Sequence, residues 1–215
     1  MPSVIAVGLR ALRGSALVEA SLSDNGADLV IATLADAIAL HERVKQSDPQ
    51  LVLAAAAAIV EGLGRGGKLL LFGNGGSAAD AQHVAAELVG RFQATRAALS
   101  AIALTTDTSV LTSVGNDEAF ERVFARQIEA LGREGDVALG ISTSGRSPNV
   151  VSALDAARTR GLKTIALTGR DGGAVGRAAE IHINVPSDST ARVQEVHRTL
   201  LHVICDLVER AFLAG

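Results

Sequence analysis

The stretch Lys68-Leu69-Leu70-Leu71-Phe72-Gly73-Asn74-Gly75-Gly76-Ser77 decides the fold. Its apolar run is too short for a helix and shows no polar alternation, so residues 68–72 read as a strand buried on both faces. Glycines 73, 75 and 76 then allow a tight turn. A helix follows to about Gly90, with Ser77 as its expected cap and Asp80, three residues on, completing a capping pattern.

The same alternation recurs downstream. Ala101 to Leu104 reads as a second strand, followed by a helix from about Asp117 to Leu131. Val137 to Ile141 is a third strand, ending in Ser142-Thr143-Ser144-Gly145-Arg146-Ser147-Pro148, where Pro148 opens the next helix. Lys163 to Leu167 is the fourth, followed by the Gly169 to Gly173 turn. Ile181 to Val185 is the fifth, and a long helix runs from about Thr190 to Phe212. Short apolar strands separated by helical patterns imply right-handed crossovers, hence a three-layer α/β sandwich with a five-stranded parallel sheet flanked by helices. Upstream, helical spacing over Asp28 to Val44 and the Asp48-Pro49 start signal add N-terminal helices. The boundaries expected are a poorly ordered extension over 1–27, preferred to a signal peptide because no positive charge precedes its short apolar run, and one domain over 28–215.

Composition narrows the function. Of 215 residues 48% are apolar, yet there are five Phe and no Tyr or Trp, so the core is built from Ala, Leu, Val and Ile. This excludes a disordered chain and argues against a surface that stacks nucleic-acid bases. Twenty basic against 23 acidic residues give a net charge of -3, which offers no footprint for nucleic acid or an anionic membrane. The longest clean apolar run, Leu51 to Val60, falls well short of the ~20 residues of a membrane span. A single cysteine, Cys205, suits a reducing compartment and therefore the cytoplasm.

In an open parallel sheet, ligands bind beyond the carboxyl ends of the strands, where helix N-termini present free N–H groups. Two loops suit that role: the glycine loop after the first strand and the hydroxyl-rich loop after the third, with Ser142, Thr143, Ser144 and Ser147. Hydroxyls and amides without lysine fit a phosphate monoester on a small molecule. Gly62-x4-Gly67-Lys68 is rejected as a nucleotide loop, because Leu69 replaces the magnesium-binding hydroxyl and the motif precedes its strand. Gly73, Gly75 and Ala78, with Asp107 as a ribose-binding acid, leave a dinucleotide site as a weaker alternative. His83 and Glu87 share one face of the helix after the glycine loop. The last helix carries Gln194, Glu195, His197 and His202. Gln194 and His202 are ~12 Å apart along that helix, so Glu195 and His202 are the better-aligned pair on geometry alone.

Five blocks, FGNGGSAADAQHVAAEL, VGNDEAFERVF, GISTSGRSPNVVSAL, ALTGRDGG and VQEVHRTLLHVICDLVE, resemble in order and spacing the phosphoheptose isomerases. These form the sedoheptulose 7-phosphate isomerase branch of the sugar isomerase (SIS) domain superfamily, a flavodoxin-like fold, and the resemblance runs from about residue 28 to the C-terminus. It implies aldose–ketose isomerisation of sedoheptulose 7-phosphate to D-glycero-D-manno-heptose 7-phosphate through an enediol, serving heptose synthesis for a bacterial surface polysaccharide such as lipopolysaccharide.

By the same resemblance, sugar-phosphate contacts fall on Asn74, Gly75, Gly76, Ser77, Asn116, Asp117, Ser142, Thr143, Ser144, Ser147 and Gln194. Zinc ligands, one ion per subunit, fall on His83, Glu87, Gln194 and His202. Glu87 and His202 are the implied proton carriers, and the implied assembly is a homotetramer with sites between subunits. The resemblance thus selects Gln194 over Glu195, favouring a site completed by reach or by a neighbouring chain. Two departures stand out: the first 27 residues exceed the usual family start, and Ala191 replaces an acidic residue that some members carry. A regulator that associates with the replication initiator shares several blocks but lacks the glutamate at position 87, and a sugar-phosphate sensor without turnover is a further alternative.

Overall fold

The computed structural model describes residues 4–214, with side chains from Asn25 onward. Two units separate by their internal contacts, Met1–Lys45 and Gln46–Gly215. The first is a single helix, α1 (Val4–Lys45), which carries exposed Leu29, Val30, Ile31, Leu34 and Ile38. The helix expected over Asp28 to Val44 lies inside it, in a stretch with no proline between Pro2 and Pro49 to stop it. The extension expected over 1–27 falls mostly on residues whose side chains lie outside the described ones.

The second unit begins with α2 (Gln50–Gly64), and its expected start signal works slightly differently. Pro49 takes the cap position, while the Asp48 carboxylate accepts from the Gln50 N–H at 2.9 Å. Strands β1 (Leu69–Gly73), β2 (Ala101–Ala103), β3 (Val137–Ser142), β4 (Lys163–Gly169) and β5 (Ile181–Val185) form one parallel sheet in the order β2-β1-β3-β4-β5. This is the flavodoxin-like order, with its switch point between β1 and β3.

Central strands β1 and β3 are buried at every position, as their unbroken apolar runs require. Edge strand β5 alternates buried Ile181, Ile183 and Val185 with half-buried His182 and Asn184. Alternate residues of β1 serve opposite cores. Leu69 and Leu71 pack with Ile59, Val84 and Ile204 on one face, while Leu70 and Phe72 pack with Phe124, Ile128 and Leu154 on the other. The helices are α3 (Gly76–Val89), α4 (Thr108–Asp117), α5 (Ala125–Leu131), α6 (Pro148–Thr159), α7 (Gly173–Ala178) and α8 (Thr190–Leu213).

Two local expectations need correction. The helix expected over Asp117 to Leu131 is broken into the end of α4, a 3-10 turn at Phe120–Arg122 and α5. Helix α4 buries no residue. It is rich in Ser and Thr that bond back to their own turn, as Thr112 Oγ1 does to the Thr108 carbonyl at 2.6 Å, so it carries little helical signal. Asp107, weighed above as a ribose-binding acid, caps α4 by accepting from the Val110 N–H at 3.0 Å.

The second correction concerns the start of α3. Gly75, at φ +56°, is the cap residue, so Ser77 lies inside the helix and is buried. Its partner in the expected pattern, Asp80, turns to α8 instead.

Candidate active site

The two loops expected to hold a ligand flank the β1/β3 switch point. After β1, Gly75 takes a left-handed conformation that only glycine adopts without strain. Among the described residues the Gly75 and Gly76 N–H groups find no acceptor in the protein, so they stand open at the N-terminus of α3. After β3, Ser142 Oγ lies 2.9 Å from Ser147 Oγ and 3.4 Å from Ser144 Oγ, a cluster of hydroxyls at the N-terminus of α6 with Ser147 as its cap residue. Thr143 is half-buried in the same turn. The loop is held from behind, where Gly145, at φ +66°, packs so closely on Gly172 and Gly173 that a side chain would strike their backbone.

Helices α3 and α8 run parallel and meet in successive rungs. At the first, the Gln194 amide lies against Gly76, where an added Cβ would come within 2.8 Å of Gln194 Cδ. At the second, Arg198 Nε donates to the buried Asp80 carboxylate at 2.9 Å. At the third, His83 Nε2 and His202 Nε2 are 2.7 Å apart, and Glu87 Oε1 is 3.4 Å from His83 Nε2. Phe92 covers His202, ring centroids 5.6 Å apart. The His202 imidazole is pushed below its ordinary value first by burial, then by His83 and Arg198, while Glu87 and Asp80 pull the other way.

The structure therefore gathers the expected residues into two groups. Asn74, Gly75, Gly76, Ser77 and Gln194 surround the glycine loop, facing the cluster of Ser142, Thr143, Ser144 and Ser147. His83, Glu87 and His202 form the second group, with the Asp80–Arg198 pair between them and Gln194. Asn116 and Asp117 sit apart at the exposed end of α4, where Asn116 Nδ2 donates to Asp117 Oδ1 at 2.8 Å. Glu195 is exposed and pairs with Arg192.

Two imidazole nitrogens and a nearby carboxylate are donors that suit zinc. Among the described residues of one chain, however, no group of three or more His, Cys, Asp or Glu side chains is arranged to hold an ion. Gln194, eight residues before His202, is ~12 Å from it along α8.

Three supporting residues had no signal in the sequence. Asn149, buried at the start of α6, exchanges two 2.9 Å hydrogen bonds with Asn74. Glu209, also buried, accepts from the N–H groups of Phe92, Gln93 and Ala94 at 2.8–3.0 Å. Burial alone would raise its carboxyl, but these three donors and Arg96 outweigh it and hold it below the usual range. Arg96 Nε lies 3.3 Å from Glu209, while its terminal nitrogens donate to the carbonyls of Glu87 and Leu88 at 2.8 Å. Partners so distant in the chain leave no local pattern to read.

The fold places the chain in a class of α/β domains, the SIS domain family, whose match covers residues 34–169. Phosphoheptose isomerase from Pelobacter propionicus is 55% identical over 82% of this chain and 93% of that protein, and the one from Roseiflexus sp. is 52% identical over 88% and 96%. The solved phosphoheptose isomerase from Neisseria gonorrhoeae superposes with a TM-score of 0.81 at 46% identity, covering 85% of this chain and 98% of that one. That from Francisella tularensis gives 0.83 at 39% identity, covering 86% and 98%. The chain belongs to the phosphoheptose isomerase family of SIS-domain proteins.

Proposed function

We infer that the crevice at the β1/β3 switch point carries out aldose–ketose isomerisation of sedoheptulose 7-phosphate to D-glycero-D-manno-heptose 7-phosphate. The observation that carries this is the pairing, in a member of this family, of a cradle for a phosphate with a separate cluster of proton-transfer groups. The open Gly75 and Gly76 N–H groups and the hydroxyls of Ser142, Thr143, Ser144 and Ser147 would hold the phosphate. Asn116, Asp117 and Gln194 would contact the sugar.

The reaction needs a base to take the proton from C1 and return it to C2, and a second group to move protons between the sugar oxygens. Glu87 is assigned the first task and His202 the second. Burial favours the neutral form of His202, which leaves a ring nitrogen able to accept a proton. His83, Glu87 and His202, with a Gln194 amide oxygen, would hold one zinc ion per subunit. When bound, zinc would supply Lewis-acid polarisation of the carbonyl. Because Gln194 is remote from His202 along its own helix, this set favours completion by a neighbouring chain in a homotetramer.

No helix among the described residues is long and apolar enough to cross a membrane. A cytoplasmic site of action, supplying heptose to a surface polysaccharide, fits the single thiol and the phosphorylated substrate.

The test is to incubate purified protein with sedoheptulose 7-phosphate, with and without zinc, and assay for the aldose. Turnover is expected. Saturable binding without turnover would show a sensor instead, and initiator binding without either would show a regulator.

A further inference from the structure

The glycine loop and the hydroxyl loop leave neighbouring strands, β1 and β3, whose following helices α3 and α6 pack on opposite faces of the sheet. Beyond the Gly73–Ile141 register of β1 and β3, a single side-chain pair among the described residues joins them. Asn74 Nδ2 donates to Asn149 Oδ1 and Asn149 Nδ2 donates to Asn74 Oδ1, both at 2.9 Å. Asn149 is only 2% exposed, and among the described residues Asn74 is its one side-chain partner.

A paired amide buried on one side is held in place, because turning either amide alone sets donor against donor and acceptor against acceptor. Asn74 immediately precedes Gly75 and Gly76, whose N–H groups are open. Asn149 lies two residues after Ser147, whose hydroxyl meets Ser142. Fixing the two amides therefore fixes the spacing between the N–H donors of one loop and the hydroxyls of the other. An anion held between both loops depends on that spacing.

We propose that Asn149 is a positioning residue for substrate phosphate: it acts through Asn74 to hold the glycine and hydroxyl loops at the separation a phosphate monoester bridges. This rests on the isomerase reading for its substrate, but the pairing itself requires only that an oxyanion bind between the loops. Reciprocal bonding makes a further demand. Removing either amide should have nearly the same effect on loop spacing, and removing the second should add little.

The experiment compares the wild-type protein with Asn149→Leu, Asn74→Ala and the double variant; Leu keeps the branching and heavy-atom count of the side chain while removing both polar atoms. Asn149→Ser is a second variant should Leu prevent folding. KM and kcat are measured with sedoheptulose 7-phosphate, and binding of inorganic phosphate is followed by calorimetry. Asn149→Leu is expected to raise KM about ten-fold, with kcat within about three-fold of wild type, the pattern of lost ground-state binding. Phosphate affinity should fall by about the same factor. The double variant should fall little below Asn74→Ala alone. A folded Asn149 variant with wild-type KM and phosphate affinity overturns the proposal, and so do fully additive losses. If wild-type protein binds phosphate but does not turn over the sugar, the isomerase reading fails while the phosphate measurement still decides the role of Asn149.

Discussion

His83 Nε2 and His202 Nε2 face each other at 2.7 Å across two parallel helices, their rings meeting edge-on with centroids 5.0 Å apart. Two nitrogens this close cannot both carry a proton without repulsion, so one donates and the other accepts. Glu87 lies one turn along α3 from His83, and Phe92 closes the far side of His202. The pair thus sits between a carboxylate and an apolar ring. This arrangement gathers two imidazoles and a carboxylate at a place separate from the glycine and hydroxyl loops.

Glu87→Gln removes the proposed base while keeping the side chain's size. Turnover of sedoheptulose 7-phosphate should fall by about 10²–10⁴-fold, the usual contribution of a general base. Zinc titration into metal-stripped protein should give one ion per chain, and His83→Ala should abolish that binding. Full isomerase activity in Glu87→Gln removes the base assignment, and a wild-type protein that takes up no zinc removes the metal assignment.

Gly76→Ala tests whether the place of Gln194 matters. The added Cβ meets the far end of a flexible side chain and Gly76 has no positive φ, so the fold should lose less than about 1 kcal/mol. Gln194 must move, however. We expect an unchanged urea midpoint together with a several-fold loss in kcat/KM. A wild-type kcat/KM would show that the Gln194 amide plays no part at the glycine loop.

The first strand and its loop were legible because a buried parallel strand has an unbroken apolar run, and because Gly73, Gly75 and Gly76 mark a turn. The hydroxyl loop was legible for a similar reason, with Pro148 opening the next helix as expected. Helix α4 was not, since its apolar face is confined to Val110, Leu111 and Val114 and the Ser and Thr residues around them imitate a loop. The start of α3 was misread because Gly75 takes over the cap position that Ser77 commonly fills. Asn149, Arg96 and Glu209 were invisible for a different reason: Asn149 finds its partner 75 residues away, and Glu209 its amide donors more than a hundred. Long-range polar pairs follow from the fold and leave no periodic trace in the chain.

Glu209 ties the segment that carries Phe92 to α8, and Arg96 ties it to the end of α3. Removing the carboxylate with Glu209→Ala leaves a buried guanidinium without its counter-charge and three backbone donors without an acceptor. Breaking one side of a buried pair commonly costs about 3–5 kcal/mol, so chemical denaturation should register a loss of that size. A loss below about 1 kcal/mol would mean that water replaces the carboxylate and the pair is not a structural tie.

His197 gives the protein a pH-dependent stability. Its ring is fully buried, its Nε2 donates to the Thr168 carbonyl at 2.9 Å, and its Nδ1 has no hydrogen-bond partner among the described residues. Burial lowers its pKa to about 4, against the smaller opposing effects of the Thr168 hydrogen bond and Asp80. In the unfolded chain the imidazole titrates near its ordinary value of about 6.5. Between these two values the unfolded chain binds the extra proton and the native protein does not, so stability rises with pH across that window. This contribution is complete above about pH 6.5 and is lost progressively as the pH falls toward 4, for a total of roughly 3 kcal/mol. Urea denaturation at intervals from pH 7.5 to 4.5 should show the decline, and His197→Gln should remove most of its slope between 6.5 and 4.5. An unchanged slope in that variant would assign the acid sensitivity to other groups.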